Sequence, residues 1–175
     1  MSGHYSKPID YSEELLKENL IKWRQAETCY YELINVDNDD KDSDILLRVK
    51  NIERDFDEAL EEDFNTHLAL SAFFSLVKEA NRRAAEETLG KNQAEVIKKE
   101  FERMLEILGL YIPKITSEQK KQVDEMIATR EKLRLEKLFD EADKIRKKLN
   151  ELNVELIDHK EKTIWMRKEK IKSDF

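Results

Sequence analysis

Residues 45–60 read ILLRVKNIERDFDEAL, and this stretch decides the fold. Ile45, Val49, Ile52, Phe56 and Leu60 recur at steps of three and four, which places them on one face of an α-helix. A strand would need alternation at every second residue, and Lys50, Arg54 and Glu58 break that pattern. The reading is an amphipathic helix starting near Ser43, whose apolar stripe must be covered by other elements.

The same repeat extends in both directions. Upstream, Asp37 to Asp42 is a polar loop without core residues, preceded by Leu16, Leu20, Trp23, Tyr30 and Leu33 at helical spacing. Ser12 followed by Glu13 and Glu14 is a hydroxyl cap with acids in the first turn. Residues 1–10 form an extended lead-in, because Pro8 disfavours helix at Lys7. Downstream, Asn65 or Thr66 caps a helix that turns Ala69, Phe73, Leu76 and Ala80 inward. Gly90 marks a break. A further helix carries Ile97, Phe101, Met104 and Leu108, ended by Gly109 and Pro113. Residues 1–112 are therefore expected to form an antiparallel four-helix bundle, with Trp23, Phe56, Phe73 and Phe101 in its core.

Residues 113–175 read as a second, smaller module. One helix carries Val123, Ile127 and Leu133; the next carries Phe139, Ala142, Ile145, Leu149 and Leu152. The period then changes to two. Val154 and Leu156, then Thr163 and Trp165, alternate around a turn-like run from Asp158 to Lys162, which predicts a short β-hairpin. The tail from Arg167 is basic. The fold class is mainly α: an antiparallel four-helix bundle followed by a small α+β module.

Composition narrows the class. Of 175 residues, 41% are charged, while only 3 are Gly and 2 are Pro, which suits long helices with solvated faces. No stretch approaches the length of a membrane span, and the first ten residues lack the apolar run of a secretory signal. Cys29 is the only cysteine, so neither an internal disulfide nor a cysteine-based zinc site is available, and a cytoplasmic location is expected. The net charge of −7 is uneven: residues 117–175 hold 16 Lys and Arg against 14 Asp and Glu, while residues 1–116 hold 16 against 25. An anionic partner meets less repulsion from the second module than from the first.

Catalytic patterns are missing. The three glycines lie far apart, so no phosphate loop is formed, and His4, His67 and His159 lack a Glu three residues earlier. Cys29 within an amphipathic helix reads as a buried structural thiol. No residue is assigned a catalytic or metal-binding role.

Four stretches are similar to the C-terminal region of cysteinyl-tRNA synthetases, in that family's order and spacing. They are Gly3 to Ser12, Glu62-Asp63-Phe64-Asn65-Thr66, Ala142-Asp143-Lys144-Ile145-Arg146-Lys147-Lys148-Leu149, and Val154 to Asp158 with Thr163-Ile164-Trp165. The resemblance implies a DALR-type helical tRNA-binding domain over 1–112 and a small anticodon-binding module over 113–175. Family members join cysteine to its tRNA using ATP, with a zinc ion that recognises the thiol. Their H-I-G-H and K-M-S-K-S motifs are absent here. The resemblance begins where the family's catalytic domain ends, so Met1 is expected to be an introduced start, and the chain to be inactive in cysteine activation. ATP and zinc would belong to that missing part, and no cofactor is expected in this chain.

The implied partner is cysteine tRNA, with its GCA anticodon, bound by a monomer that engages neither DNA nor membranes. Unpaired bases are read by stacking and by hydrogen bonds to their edges. Carried onto this sequence, the resemblance gives stacking to Trp165 and Phe139, base edges to Arg134, Asp143 and Asp158, and phosphates to Lys137, Arg146, Lys147 and Arg167. Plainer readings stand beside these. Phe139 is in register with Ala142, Ile145 and Leu149 and can pack in the core; Trp165 can cover the last helix; Asp143 can pair with Lys147 at i+4; Asp158 can cap a turn. A helical protein-interaction module with no RNA partner is the alternative function.

Overall fold

A computed structural model describes residues 12–40, 44–112, 116–158 and 163–167. The lead-in over 1–10, Ser43, Pro113, the hairpin turn over 159–162 and the tail beyond 167 lie outside the described residues. The described residues are mainly helical, with six helices and one two-stranded antiparallel sheet. The chain divides into two compact units, residues 1–111 and 112–175.

The first unit contains α1 (Glu13–Leu33), α2 (Ile45–Glu61), α3 (Thr66–Ala85) and α4 (Lys91–Ile107). Helix α2 packs on α3 and α4, and α1 packs on the same two helices. The apolar stripes meet in a core where Phe56, Phe73 and Phe101 have no exposed surface. The rings of Phe73 and Phe101 lie 5.0 Å apart at a tilt, and Tyr30 stands 5.8 Å from Phe101. Truncating one such ring costs about 3–5 kcal/mol, so these three phenylalanines dominate the packing of the unit. Tyr30 also donates its hydroxyl to Glu102 at 3.1 Å. Cys29 is buried, and burial pushes its thiol up, away from the reactive thiolate.

One expectation about α1 fails. Trp23 is half-buried rather than in the core, donating its indole N–H to Glu27 at 3.1 Å. Leu16 and Leu20 are exposed, because every buried residue of α1 lies from Ala26 onward. Its first half therefore has the periodicity of a packed helix without the cover.

Caps follow local chemistry. The Ser12 hydroxyl accepts from Leu15 N, and Asn65, rather than Thr66, caps α3 by accepting from Leu68 N. Helix α4 begins at Gly90, which has no capping oxygen. Asp40 supplies one from the 36–40 loop, its Oδ1 accepting from Asn92 N at 3.0 Å and Gln93 N at 3.2 Å. A Cβ on Gly90 would overlap the backbone of Asp40, so this approach requires glycine. Gly109 ends the helix at a positive φ of 66°.

The second unit contains α5 (Ser117–Leu135), α6 (Phe139–Glu151), β1 (Val154–Asp158) and β2 (Thr163–Arg167). Thr116 caps α5, and Gln119 reciprocates by accepting from Thr116 N, a capping box. Helices α5 and α6 pack together, and α6 contacts β1. Its helices and strands bury Val123, Ile127 and Arg130 from α5, Ala142 and Leu149 from α6, and Val154, Trp165 and Met166 from the hairpin. Leu152, expected on the inner stripe, is exposed beyond the end of α6.

Candidate nucleic-acid interface

The corner between α5 and α6 is built by a helix-ending motif. Leu138 N donates to Leu133 O at 2.9 Å, and Lys137 N donates to Arg134 O at 3.1 Å. These are the two bonds of a Schellman closure, which requires a left-handed residue at the position of Lys137. Lys137 has φ 60°, a conformation that glycine adopts without strain and lysine does not. The turn reverses the chain so that Phe139 is the first residue of α6.

This corner exposes apolar side chains. Phe139 is 58% exposed and Leu135 84% exposed, so the core alternative for Phe139 is not taken up. Leu138 is also exposed. Lys132 and Arg134 lie in the last turn of α5, just before this corner in the chain, and both are exposed. Along α6, Phe139, Asp143, Arg146 and Asn150 follow at steps of three and four, all exposed and on one side, while Ala142 and Leu149 face the interior. Lys147 is exposed beside them. Among the described residues Asp143 has no ion-pair partner, the i+4 Lys147 included. Its carboxylate is open to an outside donor.

The hairpin residues divide differently. Trp165 is only 2% exposed and pairs with Leu156 across the sheet. Its indole N–H donates to Asp124 Oδ1 at 2.9 Å. A ring with no open face cannot take a base, so the stacking role expected of Trp165 is corrected to a packing role. Arg167 is exposed at the end of β2, opposite Val154 in the register. Asp158 ends β1, opposite Thr163. Arg134, Lys137, Phe139 and Asp143 are all exposed in or next to the corner, and Arg146 and Lys147 are exposed further along α6. Sequence reasoning missed Leu135 and Leu138 as part of this surface. A signal was present: two leucines within four residues beside Arg134, out of step with the Val123–Ile127 stripe.

A family described as the DALR domain matches residues 55–112. The cysteine–tRNA ligase of Bacillus velezensis is 32% identical over 97% of this chain, and that of Geobacillus thermodenitrificans is 32% identical over 95%. This chain corresponds to the C-terminal region of the cysteine–tRNA ligase family. A more distant relative, the cysteine–tRNA ligase of an Exiguobacterium species, is 27% identical over 95% of the chain. The chain spans about 37% of the length of the curated relatives it matches. Among the described residues no group of His, Cys, Asp and Glu is placed to hold a metal ion, and no helix is long and apolar enough to cross a membrane.

Proposed function

We propose that this chain binds tRNA, with the exposed α5–α6 corner holding unpaired anticodon bases. The observation that carries the proposal is the exposed ring of Phe139 at the start of α6, in a chain matching cysteine–tRNA ligases along nearly all its length. An aromatic face open to solvent costs burial energy unless something covers it, and a base stacked there is worth about 1–3 kcal/mol. Arg134 donates to base or backbone oxygens in a fixed fork, and Asp143 accepts from an amino or imino group. Asp158 is kept as a third base-edge group. Lys137, Arg146, Lys147 and Arg167 meet phosphates as point or forked charges.

The specific partner in this reading is cysteine tRNA with the GCA anticodon, bound by a cytoplasmic monomer. The four helices of the first unit, read as an antiparallel bundle, meet a tRNA stem. Attachment of cysteine with ATP and zinc is assigned to the part of the relatives that this chain does not match. No residue here is given a role in that chemistry.

Binding is tested with transcripts of cysteine tRNA that differ only in the anticodon. The native anticodon should bind more tightly, and Arg134→Ala should weaken binding and narrow the difference. Affinity should fall with salt as phosphate contacts release counterions. Equal binding to every anticodon rejects base readout. No binding of any tRNA at low salt favours the protein-interaction alternative.

A further inference from the structure

Along α3, His67, Leu70, Phe74, Val77 and Asn81 recur at alternating steps of three and four. All five line one groove between α1 and α3, walled on the α1 side by Asn19, Lys22 and Gln25. Leu70 and Phe74 are half-buried and Val77 is buried, so the middle of the groove has an apolar floor. Asn81 closes one end, its side-chain amide donating to Gln25 O at 3.3 Å. Alternation of three and four is the seam of a coiled coil, in which a facing helix sets its apolar side chains between those of the seam. Helix α1 packs on α3 but leaves this stretch of seam open.

The charge beside the seam has one sign. Lys22 and Lys78 are exposed, one from each wall, and no carboxylate lines the groove. Lys78 directly follows Val77, the flanking position at which coiled coils select the charge of a partner. Neither lysine has an ion-pair partner among the described residues. By contrast Arg48, Arg54, Arg82, Arg83 and Arg103 are all engaged with carboxylates of their own unit. At physiological salt, exposed charges are screened beyond about 8 Å, so a segment in the groove responds to these two lysines more than to the net charge of the unit.

We infer that the α1–α3 groove docks an amphipathic helix of a protein partner, with an apolar stripe at coiled-coil spacing and glutamate or aspartate flanking it. The seam selects a helix because both walls are helices, whose backbone groups are already bonded, so an extended peptide finds no edge to pair with. From His67 to Asn81 the groove follows α3 for about 21 Å, the length of about four helical turns. The apolar stripe covers Leu70 and Phe74, and the flanking carboxylates meet Lys22 and Lys78. A sugar–phosphate backbone has no apolar group to cover that floor. The α2–α3 groove repels the same helix, since Asp55, Glu58, Glu61 and Glu62 line it. This site stands apart from the anticodon reading: none of its residues is in the α5–α6 corner.

The test titrates the full chain with two labelled synthetic helices of about four turns. Both carry leucines at coiled-coil spacing; one has glutamate at the flanking positions and the other has lysine. The glutamate probe should bind about tenfold more tightly than the lysine probe. Lys22→Glu/Lys78→Glu, with unaltered helical circular dichroism, should reverse that preference, so that the lysine probe becomes the tighter one. Phe74→Ala should weaken the glutamate probe by about tenfold. The affinity of the charge-reversed variant for a cysteine tRNA transcript should stay within about twofold of the unsubstituted chain. Equal binding of the two probes, binding of neither, or a preference unmoved by the charge reversal overturns the inference. So does a tenfold loss of tRNA affinity in that variant, which gives the lysines to RNA. Self-association of the chain that the charge reversal abolishes gives the groove to a second copy and overturns it too. If the chain binds no tRNA but the probes behave as described, the proposed function fails and this inference stands.

Discussion

The indole Nε1 of Trp165 donates to Oδ1 of Asp124 at 2.9 Å, and this bond ties β2 to α5. It is consistent with the burial of a tryptophan near the end of β2, whose indole donor meets a carboxylate on α5. Removing Asp124 should strand the donor. Asp124→Ala should lower the stability of the second unit by about 1–3 kcal/mol, read as a shift in the urea midpoint. Tryptophan fluorescence in a Trp23→Phe background isolates the signal of Trp165. An unshifted midpoint would mean that the bond contributes nothing.

Lys137 sits in a left-handed conformation at the end of α5. Lys137→Gly should stabilise the folded chain by up to about 1 kcal/mol, because glycine carries no Cβ penalty there. The same change removes a cation from the proposed RNA face, so tRNA affinity should fall as stability rises. Thermal melts and binding isotherms on one preparation check both signs. A fall in both quantities would show that the lysine side chain, rather than the backbone, holds the turn.

Gly90 meets the backbone of Asp40 at the start of α4. Gly90→Ala should therefore destabilise the first unit by about 1–3 kcal/mol through overpacking. Asp40→Ala, which deletes the cap to Asn92 and Gln93, should cost about 1 kcal/mol. Chemical denaturation followed by circular dichroism at 222 nm measures both. The glycine variant losing less than the aspartate variant would contradict the close approach.

Much of this architecture is legible in the chain because helical periodicity and caps are local. The stripe Ile45, Val49, Phe56 gives a buried face on α2, and the change of period at Val154 announces the hairpin. What failed to be legible depends on partners distant in sequence. Leu16 and Leu20 follow the same spacing as buried leucines but are exposed among the described residues, and spacing alone carries no information about cover. Asp40 reads as loop charge until Gly90 arrives beside it, 50 residues later in the chain. Trp165 and Phe139 had the same two alternatives, core or platform. Their fates separated because the hairpin folds its tryptophan inward, whereas the α5–α6 turn leaves the first residue of α6 outside.

The central claim is that the α5–α6 corner, and not the buried tryptophan, presents the stacking face for unpaired nucleotides. Fluorescence anisotropy of a labelled cysteine anticodon stem-loop, titrated with Phe139→Ala and with Trp165→Phe, tests it most directly. Loss of the Phe139 ring should weaken binding by about 1–3 kcal/mol, five- to more than a hundred-fold, with little change in stability because the ring is exposed. Trp165→Phe should leave the affinity within about twofold, since its ring touches protein rather than solvent. The opposite result, with Phe139→Ala binding like the unsubstituted chain and Trp165→Phe abolishing binding in a folded protein, would contradict the account.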